Sequence, residues 1–247
     1  MKYNYQIIIE YIGTNFSGWQ IQKNVNSIQA EVEKAVTKTI KSKIRLIGSG
    51  RTDAGVNAFG QSANFFCQKK ILNHFKFLSS VNYFLQKKLI SITELKRKNL
   101  KFHARHSAKK REYLYVILNR VAKPSIDTDR VWLVKKELNI KEMKKAIRNF
   151  LGTHDFSAFR SSSCSAKDPV KTILHASIKK KGNKILIKFI SKSFLQKQVR
   201  SMVGCLKYVG ESKWTSNRLL QVLKLKRRHK CAPPAPAQGL FLKKVYY

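Results

Sequence analysis

The sequence predicts an α+β fold in which helices pack on one face of a mixed, mainly antiparallel sheet. The first segment, Tyr3–Tyr11, alternates between two sets of side chains, as a strand with one covered face does. A segment with apolar residues at helical spacing follows it, and further strand-like segments come later. This order is typical of helices layered on a sheet. At 247 residues the chain is long enough to bury a substantial core.

In the N-terminal half, periodicity predicts one helix and two more strands. The helix begins at about Ser27, because apolar residues recur every three or four positions after it. Short strands are predicted over Ile44–Ile47 and through Ala63–Cys67. The glycine-rich segment between them, Gly48–Gly60, is predicted to be a loop.

The C-terminal half repeats this alternation of strands and helices. A strand is predicted over Tyr113–Leu118, and a helix over Ile140–Leu151 with Asn139 as its N-terminal cap. The other predicted elements are strands over Lys171–Lys179, Lys184–Ile190 and Gly239–Tyr247, and helices over Ser193–Val209 and Asn217–Lys224.

A weak internal repeat suggests that the chain consists of two related halves. The segment that starts Gly13-Thr-Asn-Phe-Ser-Gly is similar to the one that starts Gly152-Thr-His-Asp-Phe-Ser. Since no linker-like segment separates the halves, we expect residues 1–106 and 107–247 to be pseudo-symmetric and to share one continuous sheet.

The net charge indicates a polyanionic partner. The chain has 51 Lys and Arg residues against 13 Asp and Glu residues, which gives a formal charge of +38. This exceeds what solubility requires, and phosphate binding explains it through counterion release and electrostatic steering. A solvated surface enriched in lysine is the alternative, because 38 of the basic residues are Lys. No apolar run approaches the ~20 residues of a membrane span, and no signal sequence is evident, so we expect a soluble, cytoplasmic protein.

The four cysteines do not suggest a metal site. They are scattered, with no Cys-x-x-Cys pair and no histidine at ligand spacing, so neither a zinc site nor a disulfide framework is predicted. We expect free thiols in a reducing compartment.

The segment Gly48–Gly60 has the composition of a ligand-binding loop. Four glycines in thirteen residues let its main chain approach a ligand closely. Near its centre lies Asp53, one of only five aspartates, with Arg51 two residues before it. A carboxylate near guanidinium groups stays ionised, so Asp53 is a candidate nucleophile or base. An ordinary aspartate turn in a surface loop is the alternative.

Arg200 is the second candidate for a catalytic role. It lies in a predicted helix among apolar residues, so part of its stem is expected to face the core. A guanidinium there needs a carboxylate partner, because an unpaired buried charge is costly, and Asp53 is the natural candidate. An arginine that extends from the helix edge into solvent is the alternative.

Tyr113 is a candidate for stacking on a nucleic-acid base. It lies in the predicted strand Arg111-Glu-Tyr-Leu-Tyr115. A tyrosine in that setting could equally fill the core.

Six motifs in order resemble those of the TruA-type tRNA pseudouridine synthases, and they extend from residue 11 to residue 240. Each carries residues that the family shares. The motifs are Tyr11-Ile-Gly-Thr-Asn-Phe-Ser-Gly-Trp-Gln20, Gly50-Arg-Thr-Asp-Ala-Gly-Val56, Phe102-His-Ala-Arg-His-Ser-Ala108, Gly152-Thr-His-Asp-Phe-Ser-Ala-Phe-Arg160, Phe194-Leu to Val203-Gly204, and Ala235-Pro-Ala-Gln-Gly-Leu240.

The sequence departs from the family pattern at three places. Asn57 stands where the family usually has His, Gln196-Lys-Gln198 replaces the usual His-His-Met, and Lys171 takes a place often held by Arg.

The resemblance implies a role for each candidate residue. Asp53 would be the catalytic aspartate and Arg200 its ion-pair partner. Tyr113 would lie against the target uracil, Leu240 would pack beneath the base, and Arg51 would help turn the nucleotide out of the RNA stack. Residues 1–106 would then carry the aspartate loop, and residues 107–247 the helix arginine and the final strand.

The resemblance also implies a reaction, which is the isomerisation of uridine to pseudouridine at positions 38, 39 and 40 in the anticodon stem-loop of tRNA. The family needs no cofactor and no metal, and it works as a homodimer that holds tRNA in a central basic cleft. Asp53 could attack C1′ or remove the 2′ proton, and both routes remain open. A catalytically inactive RNA-binding or RNA-chaperone protein with the same fold is the alternative.

Overall fold

The computed structural model describes residues 2–247 and has the predicted α+β architecture, with one mixed sheet of ten strands and five α-helices in that range. The helices are α1 (Ile28–Ile40), α2 (His74–Leu85), α3 (Ile140–Ile147), α4 (Gln198–Gly210) and α5 (Ser216–Leu225). The strands are β1 (Tyr3–Tyr11), β2 (Ile47–Gly48), β3 (Asn57–Cys67), β4 (Ile90–Lys98), β5 (Lys110–Asn119), β6 (Trp132–Val134), β7 (Gly152–Asp155), β8 (Val170–Lys181), β9 (Lys184–Ser191) and β10 (Leu240–Tyr246).

The chain divides into two compact units. One contains the residues up to Lys109 together with Leu242–Tyr247, and the other contains Lys110–Phe241. The last strand therefore contributes most of its residues to the first unit.

The first unit is organised around β1. This strand lies between β3 and β4 and is antiparallel to both. As its alternation predicted, Tyr5, Ile7 and Ile9 are buried on one face. Helices α1 and α2 pack against each other, and α2 also packs against β4. Helix α1 begins directly after Ser27, as predicted, and the side chain of Ser27 caps it by accepting the N–H of Ala30.

The polar face of β1 is covered near the start of the strand, which the alternation did not predict. Asn4 is fully buried, and its Nδ2 donates hydrogen bonds of 2.9 Å to the carbonyl oxygens of Asn99 and Phe102. Asn64 on β3 donates to Oδ1 of Asn4 and accepts from the N–H of Ala104. Amide hydrogen bonds therefore help to hold the segment after β4 over this end of the sheet.

In the second unit the strand order is β5-β9-β8-β7, with neighbours antiparallel and β6 parallel to β5. Helix α3 packs against α4, α5 and β8. Four fully buried phenylalanines at the centre of this unit contact one another: Phe150, Phe156, Phe159 and Phe189.

Two predicted boundaries in the first unit are wrong, and hydrogen bonds to side chains of α1 explain the first of them. The N–H of Leu46 donates to Glu33 of α1 at 2.8 Å, and the N–H of Ile44 donates to Thr37 at 3.4 Å. Residues 44–46 are therefore held by α1, and β2 begins only at Ile47. Strand β3 in turn begins at Asn57, inside the segment predicted to be a loop.

Helix α4 begins at Gln198 rather than at Ser193. Oε1 of Gln198 accepts the N–H of Leu195 at 2.8 Å, which closes a turn before the helix. Lys197 has left-handed backbone angles, with φ 60° and ψ 2°, so the helix cannot extend through it toward the N-terminus. Four elements were not predicted at all: α2, β4, β6 and β7.

The proline-rich segment after α5, residues 232–237, lies directly on α4. A Cβ atom added to Gly204 would lie 2.1 Å from the carbonyl oxygen of Pro233, which leaves no space for a side chain. At Gly210, six residues later on the same helix, an added Cβ would meet the sulfur of Met143 at 2.7 Å. The flexible thioether can move away, whereas the main chain at Pro233 cannot move without shifting the segment.

We therefore expect Gly204→Ala to lower the free energy of unfolding by about 2–3 kcal/mol, the cost of overpacking against a rigid neighbour. Gly210→Ala is the matched control and should cost less than about 1 kcal/mol, because a methionine side chain can repack. Urea denaturation of both variants measures the difference. Equal losses would show that the segment at Pro233 is not held against the helix.

Candidate active site

In the first unit, Asp53 lies in the loop of residues 49–56, which joins β2 to β3. Asp53 is half-buried, Thr52 is buried and Arg51 is exposed. The N–H of Val56 donates to the carbonyl oxygen of Asp53 at 3.1 Å, and Gly55 has a φ of +74°. The loop therefore makes a tight turn just after the aspartate, with glycine at the position that needs left-handed backbone angles.

The segment of residues 13–19 lies against this loop, main chain to main chain. The carbonyl oxygen of Thr52 accepts the N–H of Trp19 at 3.1 Å, and the Thr52 hydroxyl bonds the hydroxyl of Tyr11 at 2.8 Å. A Cβ on Gly18 would lie 2.6 Å from the oxygen of Thr52, and one on Gly13 would lie 2.2 Å from the oxygen of Val56. Both glycines are therefore required for the contact that fixes the main chain on either side of Asp53.

Asn57, one of the departures from the family pattern, connects the same two segments. Its side chain is fully buried, and its Oδ1 accepts the N–H of Gly13 at 2.7 Å. The amide oxygen of Asn57 thus serves as a hydrogen-bond acceptor for the main chain of the neighbouring segment.

The start of the loop is held by a separate network. Gln61 accepts from the hydroxyl of Ser49 at 2.8 Å and donates to the carbonyl oxygen of Gly50 at 2.9 Å. The indole of Trp19 lies so close to Gly48 that an added Cβ would be 2.4 Å from its Nε1. The loop is therefore fixed at both ends, and Asp53 lies between the two anchors.

In the second unit, Arg200 occupies the first turn of α4 and is half-buried. Its Nε donates to the carbonyl oxygen of Ala235 at 2.7 Å, and the N–H of Ala235 donates back to the carbonyl oxygen of Arg200 at 2.9 Å. This reciprocal pair of hydrogen bonds fixes the direction of the guanidinium. Arg200 therefore does not simply extend from the helix edge into solvent.

Tyr115 supports the segment that holds Arg200. Its buried hydroxyl donates to the carbonyl oxygen of Pro236 at 2.8 Å. A Cβ added to Gly239 would lie 2.7 Å from the ring of Tyr115, so only glycine fits there. Burial raises the pKa of Tyr115 well above its usual value, although the positive charge of Arg200 opposes the shift. The phenol therefore stays protonated and remains a donor.

The other two predicted residues also belong to the second unit. Tyr113 is half-buried on β5, and its ring meets Phe194 edge-on, with ring centres 5.2 Å apart. Leu240 is buried at the start of β10. The structure thus brings Arg51 and Asp53 together on one loop of the first unit, and it positions Arg200, Tyr113 and Leu240 on three elements of the second.

Sequence reasoning singled out Asn57 only as a departure from the family pattern and gave no positioning role to the other residues that hold these side chains. Tyr11, Thr52 and Asn57 hold the aspartate loop, and Tyr115 and Ala235 hold the arginine. The glycines in the two segments, Gly13 and Gly18 in one and Gly55 in the other, are a sequence signal of the close approach between them.

Within residues 2–247 no group of three or more His, Cys, Asp or Glu side chains is arranged to bind a metal ion. No helix in that range combines the length and the apolar character that crossing a bilayer requires.

Comparison with known proteins identifies one family. A family model described as tRNA pseudouridine synthase matches residues 7–107 and 146–247, so both units contribute to the match. A chain named tRNA pseudouridine synthase A from Pelagibacter ubique (strain HTCC1062) is 56% identical over 99% of this chain and 100% of its own length. One of the same name from Maricaulis maris (strain MCS10) is 40% identical over 98% of this chain and 97% of its own.

A chain from a crystal structure of a Cbf5-Nop10-Gar1 complex aligns with 82% of this chain and 54% of its own length. The sequences are 12% identical and the TM-score is 0.32, so this similarity carries no argument.

Removal of the Asn57 side chain tests the link between the two segments. Asn57→Ala leaves the buried N–H of Gly13 without its acceptor, so we expect the free energy of unfolding to fall by about 1–3 kcal/mol. The same substitution at the exposed Asn217 serves as the control and should change stability by less than about 0.5 kcal/mol. Chemical denaturation measures both, and equal small effects would contradict the proposed link.

Proposed function

The chain belongs to the tRNA pseudouridine synthase family, and on that premise we propose that it converts uridine to pseudouridine at positions 38, 39 and 40 of the anticodon stem-loop of tRNA. The observation that carries this proposal is the aspartate loop, which a main-chain contact on each side of Asp53 holds rigid. A catalytic group held in one position costs little to orient when the substrate binds.

The reaction rearranges bonds within one nucleotide. The C1′–N1 glycosidic bond breaks, the freed uracil turns, and C5 bonds to C1′ while the hydrogen on C5 is lost. Because no side chain can reach these atoms inside a base-paired stem, the nucleotide must first leave the stack, at a cost of a few kcal/mol. The enzyme must then retain the detached base until the new bond forms.

Asp53 is proposed to act on the sugar as a carboxylate. It would either attack C1′ or remove the 2′ proton, and both routes require the ionised form. Its support is a half-buried position in a fixed loop of a chain that carries a formal charge of +38.

Arg200 is proposed as the ion-pair partner that keeps Asp53 ionised. The reciprocal hydrogen bonds with Ala235 orient its guanidinium before substrate arrives, which supports this role. A positive charge held in a fixed direction stabilises a carboxylate better than a mobile one does.

Three residues are proposed to hold the target nucleotide. Tyr113 would lie against the uracil, because its ring is half-buried and is held edge-on by Phe194. Leu240 would pack beneath the base as a buried apolar surface. Arg51, exposed two residues before Asp53, would help extrude the nucleotide by binding its phosphate.

The basic surface is proposed to bind tRNA phosphates in a central cleft, with two copies of the chain sharing one tRNA as a homodimer. The charge of +38 supports this role through counterion release. We propose the cytoplasm as the place of action, because the substrate is tRNA. No cofactor is proposed.

Replacement of the aspartate tests the central role. Asp53→Asn should abolish the release of tritium from tRNA that contains 5-tritiated uridine, because the amide can neither attack C1′ nor accept the 2′ proton. Binding of tRNA should persist, since the variant loses only a negative charge. The surface substitution Asp168→Asn changes the net charge equally and should leave turnover unchanged. Normal tritium release by Asp53→Asn would remove the proposed role.

Replacement of the arginine tests the ion pair. Arg200→Ala should lower turnover by orders of magnitude and also destabilise the fold, because Asp53 loses its partner and Ala235 loses a hydrogen bond. Arg200→Lys keeps the charge but not the bond from Nε, so its turnover should lie between that of the unchanged protein and that of Arg200→Ala. Arg148→Ala on the exposed surface is the control. Unchanged single-turnover rates in Arg200→Ala would show that Asp53 does not depend on this residue.

A further inference from the structure

Two cysteines that are distant in the sequence meet inside the second unit. The Sγ atoms of Cys205 and Cys231 are 3.4 Å apart. Cys205 lies on α4 and is fully buried, whereas Cys231 is half-buried and directly follows the short 3-10 turn Arg228–Lys230. Both are free thiols. Cys231 is therefore partly exposed to solvent, whereas Cys205 is not.

The surroundings favour a thiolate at the outer position. The hydrogen bond from the Cys205 thiol lowers the pKa of Cys231, and the nearby guanidinium of Arg228 lowers it further. The same hydrogen bond, together with burial, raises the pKa of Cys205 well above the usual value. Of the two thiols, the one on the partly exposed residue Cys231 therefore ionises more readily.

We propose that Cys205 and Cys231 form a reversible disulfide when the protein encounters hydrogen peroxide. The Cys231 thiolate attacks one peroxide oxygen, the O–O bond breaks, and the departing hydroxide takes up a proton to become water. The sulfenic acid so formed is attacked by Cys205, which loses its proton, and the hydroxyl group leaves as a second water molecule. Two thiols are oxidised and one peroxide is reduced.

The geometry allows the bond to form with little rearrangement. A disulfide has an S–S length of about 2.0 Å, so the sulfurs must approach by roughly 1.4 Å. Cys205 is fixed in the helix, but Cys231 lies in extended backbone, with φ −80° and ψ 146°, just after a turn. A small shift of this segment toward α4 is therefore enough.

The disulfide would tie the start of the proline-rich segment to α4. Beyond Cys231, Pro233 lies on Gly204, and Ala235 exchanges two hydrogen bonds with Arg200. A covalent link at Cys231 adds a constraint at the start of this segment, before the residue that binds Arg200. Oxidation is therefore expected to preserve the contacts around Arg200 and to raise the melting temperature.

The other two cysteines serve as controls within the same chain. The thiol of Cys67 is buried and donates to the carbonyl oxygen of Lys69 at 3.1 Å, and burial raises its pKa. Cys164 is half-buried, like Cys231, so it tests whether exposure alone is enough for oxidation.

The test treats the reduced full-length chain with hydrogen peroxide, blocks the remaining thiols with iodoacetamide and maps the peptides by mass spectrometry. We expect one cross-linked peptide pair that joins Cys205 to Cys231, with Cys67 and Cys164 alkylated, and recovery of all four thiols after dithiothreitol. If Cys205 and Cys231 are still alkylated after the other two are oxidised, or if cross-links form at random, the proposal is wrong.

Three variants separate the two steps. Cys205→Ser should stop at a sulfenic acid on Cys231 that dimedone traps, and Cys231→Ser should leave Cys205 reduced. Arg228→Gln should slow disulfide formation by about threefold or more, because the thiolate loses a neighbouring positive charge, whereas Arg228→Lys should retain most of the rate. Equal rates for these two variants, or dimedone labelling of Cys205 in place of Cys231, would overturn the proposed order of attack.

Discussion

The candidate site of the first unit depends on one contact, in which the main chain of residues 13–19 lies directly on the main chain of residues 52–56. At Gly13 and Gly18 the separation is too small for any side chain. Contacts between main chains differ from side-chain packing in that no rotamer change can relieve them. The turn that presents Asp53 is consequently as fixed as β1 and β3, whose ends the two segments extend.

In the second unit, glycines likewise allow close packing around Arg200. Gly204 lets the segment at Pro233 lie on α4, and Gly239 lets the chain pass the ring of Tyr115. Between these two points Ala235 binds Arg200 through donor and acceptor together. In both units, therefore, glycines allow the close packing of the main chain near a charged candidate residue. A charge held in this way would not have to be reoriented during the proposed reaction, which is how a preorganised site gains its advantage over water.

The sequence was informative where a pattern is local and uninformative where a distant side chain intervenes. The alternation in β1 and the capping asparagine before α3 predicted those elements correctly, because each signal lies within the element. Glu33 binds the main chain at Leu46 from another element, so no window of residues around that boundary contains the cause. At the start of α4 the cause is local, since Gln198 binds Leu195, but an apolar pattern does not reveal which main-chain N–H a glutamine will bind. Helix α2 was missed because Phe75 and Tyr83 are exposed, which obscures its apolar face. Motifs pointed to Asp53 and Arg200, but glycine spacing alone cannot reveal which carbonyl a glycine faces.

The departures from the family pattern bear on whether the site is competent, since they were the reason to consider an inactive RNA-binding protein. Asn57 accepts a main-chain N–H that connects the two segments beside Asp53, and Gln198 accepts the N–H of Leu195 at the turn before Arg200. Each side chain therefore performs a structural task that stabilises the loop or the helix carrying the charged residue. Both side chains are fully buried and hydrogen-bonded. These two departures therefore fill structural positions beside the candidate residues, which is compatible with the proposed activity.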